Sequence, residues 1–204
     1  IENQEDLDEQ IEVPYSIFPA LYAQDASRAG FEPGEIVPYR DILYGILLPS
    51  GCECCETAAV LTAGSGETFV EWMNEKAASL GMNETHFANT TGLHDPDHYT
   101  TVSDMAVLLR YCLQNDTFYE IFTTGSYLTS SSNIHPEGIL LRGTMREELL
   151  DISTGNIEIL GGKTGFTSSA GLCLASFGEA GGERYIIVTA GAPGNHETEP
   201  YHIL

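Results

Sequence analysis

The chain has 204 residues, 42% hydrophobic and 9% aromatic, enough for one folded domain with its own core and short for two. Thirty Asp and Glu against eight Lys and Arg give a formal net charge of −22, which repels phosphate backbones and anionic membrane surfaces and so argues against nucleic acid as a partner. No apolar run approaches the roughly 20 residues of a membrane helix, which leaves small molecules, peptides and proteins as ligands.

From the N-terminus, the acidic stretch Glu2 to Glu12 leads into the alternating Ile11-Glu12-Val13, the start of a strand. Tyr15 to Gly34 mixes Gly, Pro, Ser and Asp with weak periodicity and reads as a long ordered loop with one short helical turn. From Tyr39 to Leu48, Ile42, Leu43, Ile46 and Leu47 recur at helical spacing until Pro49 stops the run, so Ser50-Gly51 sits just past a helix end. Further helices are expected from Glu53 to Ala63 and from Glu67 to Leu80, the latter with an apolar stripe of Phe69, Trp72, Met73 and Leu80 and with Gly81 as its stop. Asn83 to Tyr99 reads as loop, Thr101 with Asp104 as a capping box opening a helix that carries Met105, Leu108, Leu109 and Cys112, and Ser126 to Gly138 as a polar loop. Leu172 to Phe177 and Tyr185 to Ala190 read as buried strands joined by a turn from Glu179 to Glu183.

Five cysteines, Cys52, Cys54, Cys55, Cys112 and Cys173, are an odd number, so at least one stands outside any intramolecular disulfide. Cys52-Glu53-Cys54-Cys55 lacks the second ligand pair of a zinc site, and His86, His94 and His98 lack the i, i+4 spacing of a zinc protease; no metal and no cofactor are expected. Small thiols packed as weak hydrophobes are the ordinary reading of the cysteines, and His98 is expected to order a turn.

Two segments carry chemistry: Pro49-Ser50-Gly51-Cys52 after a buried helix, and Gly161-Gly162-Lys163-Thr164-Gly165-Phe166-Thr167 leading into a strand. Lys163 is one of only two lysines, and glycines on either side let backbone and ammonium approach a ligand. With Lys163-Thr164-Gly165 as a lysine strand and Ser50-Gly51-Cys52 as a variant Ser-x-Asn loop, the chain resembles the serine-type D-alanyl-D-alanine carboxypeptidases, the low-molecular-mass penicillin-binding proteins. The likeness extends through Arg40-Asp41-Ile42-Leu43-Tyr44-Gly45, Thr91-Gly92-Leu93 and Ala170-Gly171.

That resemblance implies an α+β fold of the β-lactamase/transpeptidase kind, a helical cluster packed on an antiparallel sheet. Residues 1–204 would form a single, partial penicillin-binding domain. It also implies attack of a serine on the terminal D-Ala-D-Ala bond of a peptidoglycan stem peptide, through an acyl-enzyme. By the same analogy Ser50 is a proton shuttle and Lys163 an electrostatic stabiliser, the two catalytic candidates. Gly51, Cys52, Thr164, Gly165, Phe166 and Thr167 are the substrate-binding candidates, with Thr164 donating to the substrate carboxylate and the Phe166 N–H to the oxyanion. Partners are then stem peptides ending in D-Ala-D-Ala, and β-lactams where the nucleophile is supplied; the location is extracytoplasmic, with membrane contact only through an anchor outside this chain.

Three departures matter. There is no Ser-x-x-Lys: Met73 precedes Lys76 and Leu160 precedes Lys163 at that spacing. With Ile1 in place of Met, the chain is read as truncated before the nucleophile, lacking the N-terminal part of the fold, inactive alone and prone to association through an uncovered apolar face. Cys52 replaces an Asn, and a thiol cannot reproduce an amide's paired donor and acceptor. Ala192 to Glu197 offers no Arg for the substrate carboxylate, only His196. The alternatives are a non-catalytic relative that binds a peptide or protein in the same cleft, and Cys52 itself as nucleophile.

Overall fold

Pro38 places an extended residue, φ −60° and ψ 143°, ahead of a helix whose first N–H groups, on Tyr39 and Arg40, donate to Glu9 O at 2.9 Å and Leu7 O at 2.8 Å, and so fixes where the main helical layer begins. The computed structural model describes residues 1–2, 6–145 and 155–194. Strand β1 (Gln10–Glu12) pairs antiparallel with β2 (Ile36–Pro38), setting Ile11 opposite Val37. The intervening stretch is more structured than its periodicity predicts: a 3-10 turn at Tyr15–Ile17 runs into α1 (Phe18–Ala23), which buries Phe18 and Leu21.

Helix α2 (Tyr39–Leu47) is central, with Ile42 fully buried among Val13, Phe18, Phe31 and Val37. Helix α3 (Cys52–Ala63) follows after four residues and stops at Gly64, whose φ of +83° a side chain would resist. Helix α4 (Gly66–Ser79) is capped by Ser65, whose hydroxyl accepts from the Thr68 N–H at 3.1 Å, and is closed by Gly81 with the Met82 N–H donating to Ala77 O at 2.9 Å. The expected stripe on α4 is present, but Phe69, Trp72 and Met73 face a cavity of about 660 Å³ and Trp72 is 39% exposed. The same cavity takes the apolar faces of α2, α3 and two later helices.

Those are α5 (Val102–Cys112) and α6 (Asp116–Thr123), the second of which has no counterpart in the sequence reading. Thr101 caps α5 by accepting from the Asp104 N–H at 3.2 Å. The reciprocal half of the capping box is not made: the buried Asp104 carboxylate takes the Glu84 N–H at 3.0 Å and the Thr85 hydroxyl at 2.7 Å. Aspartate is one methylene shorter than the glutamate that reaches back in a full box, so it serves the neighbouring loop.

The polar loop expected from Ser126 begins as β3 (Ser126–Leu128), which pairs with β4 (Leu140–Arg142). Beyond it lies a three-stranded antiparallel sheet in the order β5 (Ile157–Thr167), β6 (Gly171–Ala180), β7 (Glu183–Ala192). The β6–β7 strands run further than predicted, because Gly181 and Gly182 at φ +61° and +83° make a two-residue turn. Phe177 packs with Leu109 and Phe122, joining the sheet to α5 and α6. Gly161 makes this approach possible: a Cβ there would lie 2.4 Å from Phe122 O.

Candidate active site

Two chain segments more than a hundred residues apart meet where the helical layer abuts the sheet. One is the link between α2 and α3. Pro49 ends α2, and Ser50 then takes a left-handed φ of +62°, a conformation that crowds a Cβ against the backbone. Ser27 holds this link from outside, its hydroxyl donating to Ser50 O at 2.8 Å while its own carbonyl accepts from the Cys52 N–H at 2.9 Å.

The other is β5, at the edge of its sheet. Lys163 reaches across with its Nζ donating to Ser50 Oγ, and also to Thr164 O at 2.8 Å. Burial pulls the Lys163 ammonium down to a pKa of about 8, with the nearby Cys55 and Cys52 thiols opposing the shift. At neutral pH the lysine is mainly charged but close to its midpoint, so it can stabilise anionic charge or pass a proton at modest cost. The two catalytic candidates are therefore in contact.

The substrate-binding candidates divide. Thr164 is buried and its hydroxyl pairs with that of Thr144 at 2.6 Å; where Thr144 is the donor, Thr164 keeps its own proton for a ligand. Gly165 is exposed and a Cβ there would meet only Cys173 Cβ, at 3.8 Å, so packing within the fold does not demand the glycine. Phe166 lies half-buried opposite Leu172, and Thr167 accepts from the Ala170 N–H at 3.0 Å in the β5–β6 turn.

Gly51 is held tightly, since a Cβ would lie 2.8 Å from Ala29 Cβ. Cys52 is 3% exposed, with Sγ 3.6 Å from Ser27 Oγ. Burial pushes the Cys52 thiol's pKa up, and a thiol kept neutral is a poor nucleophile, which speaks against Cys52 as the attacking group. Cys55, pushed up to about 12 by burial, is inert in the same sense. In the loop before α5, His98 Nδ1 accepts from the Ala88 N–H at 3.2 Å, a turn-ordering contact. His196 lies outside the described residues.

Three contributors carried no signal in the spacing. Ser27 and Thr144 act through partners twenty or more residues away. Thr144 is in turn tied to the end of α2 by its N–H donating to Leu48 O at 3.3 Å. Glu53, fully buried, accepts from the Gly30 and Phe31 N–H groups at 2.9 and 3.3 Å, and desolvation pushes its carboxyl pKa up.

A helical layer against an antiparallel sheet, with an edge-strand lysine meeting a serine on an interhelical link, defines an α+β fold of the penicillin-binding protein class. Overlay on solved structures agrees. The Streptomyces K15 DD-transpeptidase matches with a TM-score of 0.82 and 25% identity, over 95% of this chain and 76% of that one. The D-alanyl-D-alanine carboxypeptidase of Mycobacterium tuberculosis H37Rv matches at 0.80 with 28% identity, over 95% and 69%.

The family model for peptidase S11, D-alanyl-D-alanine carboxypeptidase, matches residues 3–194, and the chain belongs to that family. Among sequence relatives, the D-alanyl-D-alanine carboxypeptidase DacF of Bacillus subtilis is 34% identical over 166 residues, 81% of this chain and 41% of DacF. DacB2 of Mycobacterium tuberculosis is 33% identical over 160 residues, 78% of this chain and 52% of DacB2. The chain thus spans about half or less of the length of these relatives.

Proposed function

We propose that this chain forms the cleft of a serine D-Ala-D-Ala carboxypeptidase acting on peptidoglycan stem peptides outside the cytoplasmic membrane, with the acylated serine supplied by a segment outside these residues. The observation that carries the reading is the contact between Lys163 Nζ and Ser50 Oγ. Cys55 lines the apolar cavity and is close enough for its ionisation to be coupled to Lys163. In this reading an apolar helix seated against Leu43, Ile46, Phe69 and Leu108 fills the cavity of about 660 Å³ and carries the nucleophile to the Ser50–Lys163 pair.

In this mechanism the nucleophilic serine attacks the carbonyl of the penultimate D-Ala, and its proton leaves by way of the Ser50 hydroxyl to the nitrogen of the departing D-Ala. The Lys163 ammonium stabilises the negative charge that develops on Ser50 Oγ during that relay. Water then hydrolyses the ester. The exposed edge of β5 suits an extended peptide laid alongside it, with Thr164 near the terminal carboxylate and the absent side chain of Gly165 leaving the strand open. No helix among the described residues is long and apolar enough to cross a membrane.

The test is D-Ala release from an acyl-D-Ala-D-Ala peptide, with intact mass after benzylpenicillin treatment, on this chain and on the full-length gene product. The expected result is turnover and a single penicillin adduct on a serine of the full-length product, and neither on residues 1–204 alone. A full-length product that neither turns over nor forms an adduct would overturn the reading. It would favour instead a non-catalytic cleft that binds peptide, a reading supported by Cys52 being turned into the Ser27 contact where the family carries an amide.

A further inference from the structure

We propose that Ser27 is a positioning residue for Ser50, holding the link between α2 and α3 in the one conformation that keeps the Ser50 hydroxyl against Lys163. This rests on the peptidase reading for its catalytic meaning, though not for its geometry.

A serine at φ +62° persists only where its surroundings over-determine it. Here the surroundings are the end of α2, where the Gly45 carbonyl accepts from the Gly51 N–H at 2.9 Å, and the loop that carries Ser27. The Ser27 hydroxyl donates to Ser50 O at 2.8 Å and the Cys52 N–H donates to Ser27 O at 2.9 Å, so a single residue grips the link on both sides of Gly51. With its proton committed to Ser50, the Ser27 oxygen presents its lone pairs to the Cys52 thiol at 3.6 Å. Gly51 itself is pressed against the loop, a Cβ there falling 2.8 Å from Ala29 Cβ and 3.0 Å from Ala29 N.

The loop has its own anchor. Glu53, fully buried in the first turn of α3, accepts from the Gly30 and Phe31 N–H groups, and Phe31 is buried in the core. Ser27 is exposed, so removing its hydroxyl leaves this anchor and the core intact while releasing the carbonyl of Ser50. The Ser50–Gly51 peptide then keeps only the bond from the Gly51 N–H to Gly45 O, about which it turns toward an ordinary negative φ, swinging the Ser50 side chain off Lys163 and letting water reach the ammonium.

The chain's two lysines make the consequence measurable without turnover. Lysine side chains carrying ¹³C at Cε give two NMR resonances. Lys76 is held above its ordinary value by Tyr111 and Glu2, and Lys163 titrates near 8 among Ser50, Cys52 and Cys55. In Ser27→Ala the Lys163 midpoint is expected to rise by about one unit as the ammonium is rehydrated, with Lys76 unmoved. Ser50 should also lose the strong intraresidue amide-to-Hα contact of a left-handed residue, and Ser27→Thr should restore both signals. Unchanged Lys163 titration and Ser50 signals in Ser27→Ala would overturn the proposal, whatever happens to thermal stability. Because the readout is taken on this chain, it is decided apart from whether the full-length product is acylated by penicillin.

Discussion

Ser50 and Lys163 each adopt a state that the fold alone would not choose, and each leaves a measurable imprint on stability. A non-glycine residue in the left-handed region costs about 1–2 kcal/mol. Ser50→Gly is therefore expected to raise the urea midpoint by an amount equivalent to about 1 kcal/mol while abolishing penicillin acylation in the full-length product, a gain of stability at the expense of function. Lys163 is the electrostatic counterpart. Its folded pKa of about 8 lies below the unfolded value of 10.5, so between those values the unfolded chain binds the extra proton and stability rises with pH. The penalty is present in full below pH 8 and relieved toward 10.5, and at about 1.4 kcal/mol per unit it is on the order of 3–4 kcal/mol at most. Lys163→Met should accordingly be the more stable protein at pH 7, with its advantage over the parent shrinking through that window in urea titrations. A constant difference from pH 7 to 10.5 would mean that Lys163 is not depressed.

At the scale of elements, the glycines of β5 do different jobs that residue type alone does not separate. Gly161 lets the strand close on α6, with a Cβ clashing at 2.4 Å with backbone oxygen, and Gly162 leaves room for Met145 Sδ, 2.1 Å from where a Cβ would be. Gly165 has no such neighbour. Gly161→Ala is expected to cost about 1–3 kcal/mol in urea denaturation, because the strand must back away from the helix. Gly165→Ala should leave the midpoint nearly unchanged yet slow acylation of the full-length product by penicillin. Equal stability losses for the two would place Gly165 in the packing instead of the cleft. Lys163 stood out in the sequence because it is rare and flanked by glycines, and α2, α4, β6 and β7 were legible from their periodicity. Helix α6 is only eight residues, and β3 and β4 are three each, too short for a pattern to register. The stripe of α4 was legible as an apolar face but not as the wall of a cavity, since periodicity reports which side is apolar and not what covers it. Ser27 and Thr144 were invisible for a related reason: their partners are brought to them by the fold, and no local spacing encodes that.

For the molecule as a whole, the imbalance of 30 acidic against eight basic side chains gives a repulsion that local contacts do little to offset. The pairs formed among the described residues by Arg40 with Asp8 and Lys76 with Glu2 are largely exposed, and such pairs contribute little. Screening shortens the reach of a charge from about 10 Å at 0.1 M salt to about 3 Å at 1 M, so added NaCl removes mostly like-charge repulsion. The thermal midpoint of this chain is expected to climb steadily between those concentrations. A midpoint that is flat or falls would show the carboxylates to be spaced widely enough in the fold to escape one another. The same repulsion keeps copies apart while the cavity walled by Phe69, Trp72 and Leu108 offers them an apolar surface to share. Salt should then act twice, stabilising the single chain and shifting sedimentation toward larger species, and a helix that fills the cavity should suppress the second effect without undoing the first.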